Sequence, residues 1–355
     1  MNLRERPVST IRAPRPSELL PVVPHLIGFH PRRSLVVLCL AGTPARCGQV
    51  FRFDLPPRRR QPTFVAGVVQ RLEHLRPEAV VLVCYDDSPP PRGAVGARPR
   101  EAIEHADDGL PRRELVDPIV AELGNGPVAV VDALLVRDGR WWSFLCTDSA
   151  CCPSEGTTIL APDDPLVGRL AAEEVLRGRR ILGSREELAA SIAGPAELDL
   201  TRTLGAFARV GASKDACTPH DATVAALEAT FERFLTGRHE LDDDEVARIC
   251  LGLADETARD AILRRQVDDA RTWLVLLTEL ARRTPDAHAA PVCATLAWVA
   301  VQSGEGALAN VALDRALAAD PAHRLARLLR CGLDRQVSAA QLRAVAHQAG
   351  SGVPP

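Results

Sequence analysis

The hydrophobic pattern of the first half of the chain alternates between short apolar strands and amphipathic helices. Unbroken apolar runs at 35–40 and 79–84, and a run at 128–136 that is apolar except for Asp132, predict strands buried on both faces. Residues 62–75 and 110–123 carry apolar side chains at helical spacing. With a half-exposed strand after the first run and a returning strand after the third, the order predicts an α/β domain with a mixed sheet.

The second half of the chain has helical periodicity throughout, and no segment after residue 165 has the pattern of a strand. The run 267–283 places Trp273, Leu276, Leu277 and Leu280 on one face of a helix. The pattern therefore predicts an α/β domain over 1–162, followed by an all-helical domain over 163–350. The boundary is expected in the Pro- and Gly-rich stretch 153–165.

One part of the helical half has the spacing of a tetratricopeptide unit. Trp298, Gly304 and the pair Asp320-Pro321 stand at positions where such units place them, with small residues between them that allow two helices to pack closely. Pro321 is expected to start the next helix. An ordinary helical bundle accounts for the same pattern equally well.

A predicted hairpin lies at the centre of the α/β half. Asp138-Gly139 separates the run 128–136 from a returning strand that ends at Cys146, and this dipeptide favours a two-residue turn. Folding about the turn places Asp132 near Leu145, in apolar surroundings. A carboxylate there is either hydrogen-bonded to backbone N–H groups or, with its pKa raised, a candidate catalytic group.

Three thiols follow the hairpin within one short loop. Cys146, Cys151 and Cys152 have a C-x4-C-C spacing, and no second C-x-x-C pair occurs in the chain. The loop could hold a metal ion with Asp148 as a further ligand, carry a redox or nucleophilic thiol, or be a buried structural turn. Adjacent cysteines are expected to strain a shared metal site. Cys146 is predicted to be buried, and at least one of the other two to be accessible with a raised pKa.

Two further places are candidates for ligand binding. Asp86 and Asp87 follow the strand 79–84, and ligands of α/β sheets collect at the carboxyl ends of strands. They could hold a divalent cation, or simply open a loop. Trp142 is a candidate for ligand contact. The sequence contains no phosphate-binding glycine loop and no G-x-S-x-G elbow, so it implies no particular cofactor.

Composition narrows the class of protein. The 355 residues carry a net charge of −3, which gives no electrostatic case for nucleic-acid binding. The first residues lack the apolar core of a signal peptide, and no stretch is long and apolar enough for a membrane span. A cytoplasmic protein with mostly reduced cysteines is therefore expected.

Three segments resemble a known family: LIGFHPRRSLVV at 26–37, WWSFLCTDSACCP at 141–153 and ALANVALDRALAADP at 307–321. In this order they are similar to an actinobacterial family catalogued as domain of unknown function 4192. The resemblance implies an architecture and supplies no catalytic residue. The hypothesis at this point is a binding or regulatory protein whose helical half recruits a protein partner. The alternative is an enzyme, or a metal or thiol site, where the carboxyl edge of the sheet meets the cysteine loop.

Overall fold

The computed structural model describes residues 19–42, 46–87, 109–159, 168, 172, 181–212, 220–264, 269–335 and 337–350. It divides into two compact units, Met1–Ser184 and Arg185–Pro355. The predicted boundary near residue 162 falls in a segment that lies largely outside the described residues. Leu182 belongs to the first unit, because its backbone exchanges hydrogen bonds with Gly28 and His30. Independent folding of each half stays a prediction.

The first unit contains a mixed sheet, as the sequence predicted, and it has six strands where the pattern predicted five. Its order is β2-β1-β3-β4-β5-β6, with β3 and β4 parallel and the other neighbours antiparallel. The strands are β1 (Ser34–Ala41), β2 (Arg46–Asp54), β3 (Ala79–Tyr85), β4 (Ala129–Arg137), β5 (Arg140–Ser143) and β6 (Thr157–Thr158). The helices of this unit are α1 (Val23–Ile27), α2 (Gln61–Leu75) and α3 (Arg113–Gly124).

The central strands are buried on both faces, which explains their unbroken apolar runs. Leu35 and Val37 of β1 belong to one core, which also contains Leu72 of α2 and Ile119 of α3. The intervening Val36 belongs to a second core on the opposite face, where the segment 19–23 covers the sheet. Side chains alternate between the two faces along a strand. A strand that is covered on both faces therefore has no solvent-facing position for a polar residue.

The first half of β4 differs from its prediction. Val131 is 58% exposed, and only the segment from Ala133 onward is buried. The reason is the length of β5, which pairs only with Leu134–Arg137 and leaves the start of β4 on the edge of the sheet. The prediction of a strand buried on both faces was therefore wrong for this half. The turn was predicted correctly, since Asp138 and Gly139 both have positive φ.

The second unit is all-helical in the residues described. Its helices are α4 (Arg185–Ser191), α5 (Glu197–Ala212), α6 (His220–Leu235), α7 (Asp243–Gly252), α8 (Glu256–Arg264), α9 (Ala270–Arg282), α10 (Ala289–Gln302), α11 (Gly306–Ala319), α12 (Arg324–Asp334) and α13 (Ala339–Gly350). The predicted inward face of α9 is confirmed, because Trp273, Leu276, Leu277 and Leu280 are all buried. Among the helices described, none is long and apolar enough to cross a membrane.

The segment that resembled a tetratricopeptide unit forms the helix pair α10 and α11, joined by a turn at Gly304 with φ +75°. Nearly every residue of α10 from Ala289 to Ala300 is buried, so this helix leaves little of its surface open to a ligand. The next helix begins at Arg324 and not at Pro321. His323 caps it, because its Nδ1 accepts a hydrogen bond from the Ala326 N–H.

Candidate functional site

The cysteine loop begins earlier than the alternation of side chains predicted. Strand β5 ends at Ser143, whose hydroxyl oxygen accepts hydrogen bonds from the Leu145 and Cys146 N–H groups. A serine that captures the backbone two and three residues ahead turns the chain away from the sheet. Cys146 is therefore half-exposed, and the prediction that it is buried was wrong.

A second turn brings the remaining thiols back to Cys146. The Asp148 carbonyl oxygen accepts hydrogen bonds from the Cys151 and Cys152 N–H groups, and the Asp148 carboxylate accepts one from the Ala150 N–H. In this arrangement the Sγ atoms of all three cysteines lie within 4.8 Å of one another. The turn thus brings the adjacent cysteines to one point, where a shared metal site was expected to be strained. Cys151 is exposed and Cys152 half-buried, which confirms that at least one of the pair is accessible.

The end of the loop is hydrogen-bonded to side chains of β5. The Trp142 indole N–H donates to the Ser154 carbonyl, and the Arg140 guanidinium donates to the Gly156 carbonyl. Gly156 has φ +73°, and a Cβ atom there would lie 2.4 Å from the Trp142 ring. The ring can therefore pack against the chain only at a glycine. Trp142 is 7% exposed, so its ring holds the loop in place and offers little surface to a ligand.

The protonation of Cys152 bears on the thiol alternative. Burial, followed by hydrogen bonds from the thiols of Cys146 and Cys151, raises the pKa of Cys152 to about 12. The thiolate is the nucleophile in thiol chemistry, and a raised pKa favours the protonated form of Cys152 at neutral pH. The direction agrees with the raised pKa expected for a thiol of the loop, and it disfavours nucleophilic catalysis by Cys152.

Asp132 is held by the neighbouring strand. Its carboxylate accepts hydrogen bonds from the Ser143 hydroxyl at 2.7 Å and from the Ala133 N–H at 2.8 Å. Burial raises the pKa of Asp132, and these two hydrogen bonds oppose the rise. The bond from the Ala133 N–H is the structural role that the sequence analysis gave as one alternative for Asp132. The other connects Asp132 to the serine that starts the cysteine loop.

Asp86 and Asp87 lie at the carboxyl end of β3, where the positive charges of arginine side chains act on both of them. Asp86 is 2% exposed and forms a salt bridge with Arg112 at 3.0 Å. Burial raises the pKa of Asp87, and the charge of Arg32 lowers it. Because a guanidinium already neutralises Asp86, the pair resembles a structural ion cluster more than a vacant cation site. Divalent-cation binding here stays a prediction.

The strand register separates these aspartates from the thiols. The Asp86 N–H donates to the Val136 carbonyl, near the end of β4. Strand β5 runs in the opposite direction, pairs Ser143 with Leu134, and continues to a hydrogen bond between Phe144 and Ala133. The cysteine loop therefore leaves toward the start of β4, away from the carboxyl end of β3. The structure brings the three thiols together without either aspartate.

The helical unit contains a groove that the sequence analysis missed. It has a volume of about 460 Å³ and lies between the end of α6 and the outer face of α9. Its lining residues are Phe234, His239, Leu274, Val275, Thr278 and Glu279. A signal was available in the sequence: Trp273 to Leu277 is apolar at every position, which is too wide for a single inward face.

A second cavity of about 320 Å³, beside α4 and α11, is lined by charged groups that already have partners. Arg185 and Arg330 both form salt bridges with Asp314. The Arg315 guanidinium donates to the carbonyl groups of Ile192 and Thr284. These contacts join helices of the unit, so the arginines have structural roles.

Comparison with known proteins gives one match. No curated protein matches the chain, and no solved structure matches it. The family model described as "Domain of unknown function (DUF4192)" matches residues 16–339, which include both the sheet with its cysteine loop and the helical unit as far as α13. The chain therefore belongs to the family described as domain of unknown function DUF4192.

Proposed function

We propose that this protein is a binding or regulatory protein whose helical unit recruits a protein partner. The observation that supports the proposal is the apolar groove between α6 and α9. Val275 in the groove is 43% exposed, and Leu235 at the end of α6 is 44% exposed. Apolar surface in water costs about 25 cal/mol per Å², and a cluster of such surface on a folded protein marks an interaction site.

The two helices that border the groove are packed against each other. Phe231 of α6 and Trp273 of α9 stack with ring centroids 4.4 Å apart and an interplanar angle of 19°. Such a pair contributes about 0.5–1.5 kcal/mol beyond the burial of its area, and it fixes the two helices side by side. A partner would then meet a surface that is already formed, which lowers the entropy lost on binding.

The residues along α9 indicate the chemistry of the partner. Its outward stripe runs from Arg271 through Val275 and Thr278 to Arg282, and the Arg282 guanidinium is paired with Glu279 of the groove at 2.8 Å. An amphipathic helix with aliphatic side chains one turn apart fits such a groove. An acidic residue at one end of its apolar stripe would complement Arg271, because the charge of Arg282 is already met by Glu279.

Site-specific crosslinking tests this proposal. A photoreactive residue replaces Val275 in the full-length protein, and in a matched control it replaces Leu328 of α12, which is 59% exposed and outside the groove. In lysate of the source cells, position 275 should crosslink to one protein segment. The sequence of that segment should predict an amphipathic helix with an acidic residue at the end of its apolar stripe. A synthetic peptide of that segment should bind the purified protein, and Val275→Asp should abolish its binding. Identical crosslinked products at both positions, or none at 275, would contradict the proposal.

The alternative of a composite site at the carboxyl edge of the sheet has less support. It would need Asp86 or Asp87 to approach the cysteine loop, and the register of β4 and β5 directs the loop the other way. Any chemistry of the thiols would therefore use groups of the loop itself.

A further inference from the structure

We infer that Cys146, Cys151 and Cys152 form a binding site for a soft d¹⁰ metal cation, Zn²⁺ or Cu⁺, held by three thiolates. The inference is independent of the groove in the helical unit. Thiolates are the protein ligands that both cations prefer, and binding at three sulfurs needs no other side chain.

The exposure of these cysteines distinguishes them from the cysteines used as packing residues. Five other cysteines in the described chain are buried, namely Cys39, Cys47, Cys84, Cys250 and Cys293. Cysteine used as a small apolar residue is among the most buried residue types. None of the loop cysteines is buried, and Cys151 is exposed. Packing against the core of the sheet accounts in part for Cys152, but it accounts poorly for Cys146 and Cys151.

The distances fit a shared ion. A zinc–sulfur bond of about 2.3 Å places two ligand sulfurs about 3.8 Å apart in a tetrahedral site and about 4.0 Å apart in a trigonal one. The three Sγ atoms already lie within 4.8 Å of one another. The sulfurs are therefore within about 1 Å of the separation that a shared ion needs.

The loop holds this arrangement from both ends. At its start the Ser143 hydroxyl fixes the Cys146 N–H, and in its middle the Asp148 carbonyl fixes the N–H groups of Cys151 and Cys152. At its end the Trp142 indole holds Ser154. A loop fastened in this way loses little conformational entropy when an ion binds, so the sulfurs are preorganised for it.

The ligand set is open on one side. Within the described part of the chain, no His, Asp or Glu joins the three sulfurs in this cluster. The Asp148 carboxylate is engaged by the Ala150 N–H, which gives it a positioning role in the turn. Binding therefore exchanges three thiol protons for three metal–sulfur bonds. It leaves either a trigonal site, which suits Cu⁺, or a tetrahedral Zn²⁺ site with solvent in the fourth position.

Metal titration of the full-length protein tests the inference. The protein is stripped with chelator, kept reduced with a phosphine, and titrated in two arms against chromophoric competitors for Zn²⁺ and for Cu⁺. Saturation at one equivalent in either arm supports the site, because it shows a single set of sulfur ligands. Co²⁺ should give a thiolate-to-cobalt charge-transfer band, which only sulfur ligands produce.

Variants assign the binding to these sulfurs. Cys151→Ser should weaken binding more than the roughly 10–100-fold typical of changes outside the ligand set. The matched control Cys331→Ser removes an exposed thiol of α12 and should leave the affinity unchanged. Because Cys151 is exposed, its variant should keep the wild-type circular dichroism. Absence of one-equivalent binding in both arms would overturn the inference. So would equal losses in the two variants, or a loop disulfide that persists in the phosphine.

Discussion

Replacing Gly156 by alanine should release the cysteine loop from β5. Two costs arise at this position. The residue has φ +73°, a conformation that costs an L-amino acid about 1–2 kcal/mol. The new methyl group would also lie 2.4 Å from Cε2 and 2.5 Å from Cζ2 of Trp142, so the ring must move, and overpacking of this kind costs about 1–3 kcal/mol. Together the substitution should lower the free energy of unfolding of the first unit by about 2–5 kcal/mol.

Gly139→Ala is the matched control. Gly139 has φ +72°, almost the same conformation, but no atom lies within 4 Å of the position its Cβ would take. The control therefore bears the backbone cost of about 1–2 kcal/mol without the steric one. Both substitutions also reduce the entropy of the unfolded chain to a similar extent, so this effect cancels in the comparison. The difference between the variants should be about 1–3 kcal/mol, which is the cost of displacing the Trp142 ring.

Urea unfolding measures this difference. In a background with Trp273→Phe and Trp298→Phe, only Trp141 and Trp142 remain of the four tryptophans, so fluorescence reports the first unit alone. The midpoint should fall further for Gly156→Ala than for Gly139→Ala at equal slope. Equal losses in the two variants would refute the reasoning, because they would mean that the Trp142 ring does not confine residue 156.

Two further predictions concern the core of the helical unit and the carboxylate beneath the loop. Trp298→Ala should destabilise the helical unit by about 3–5 kcal/mol, because the ring is buried in its core. Thermal unfolding monitored by circular dichroism measures this loss, and an unchanged midpoint would contradict the prediction. Burial raises the folded-state pKa of Asp132, so the folded protein holds this proton to higher pH than the unfolded chain does. Stability from this group is therefore present at low pH and lost as pH rises through the folded pKa. Asp132→Asn should flatten that dependence in urea unfolding of the first unit, and a slope equal to that of the wild type would contradict the assignment.

The sequence by itself determined the elements whose signal is local. Central strands such as β1 and β3 need apolar residues at every position, and this is visible without knowledge of their neighbours. Asp138-Gly139 specifies its turn because both residues must adopt positive φ, which few other dipeptides tolerate. The inward face of α9 followed from spacing alone, since a helix repeats every 3.6 residues.

Tertiary structure decided which surfaces are covered and which side chains meet. The start of β4 has the composition of a buried strand and is exposed, because the length of its neighbour β5 is set by Ser143 and not by hydrophobic periodicity. The three thiols converge through hydrogen bonds to Ser143 and Asp148, whose partners no periodicity specifies. The groove beside Val275 exists because α6 covers only part of α9. Residue patterns record the face that an element must bury, whereas coverage of the remaining faces depends on contacts between distant segments of the chain.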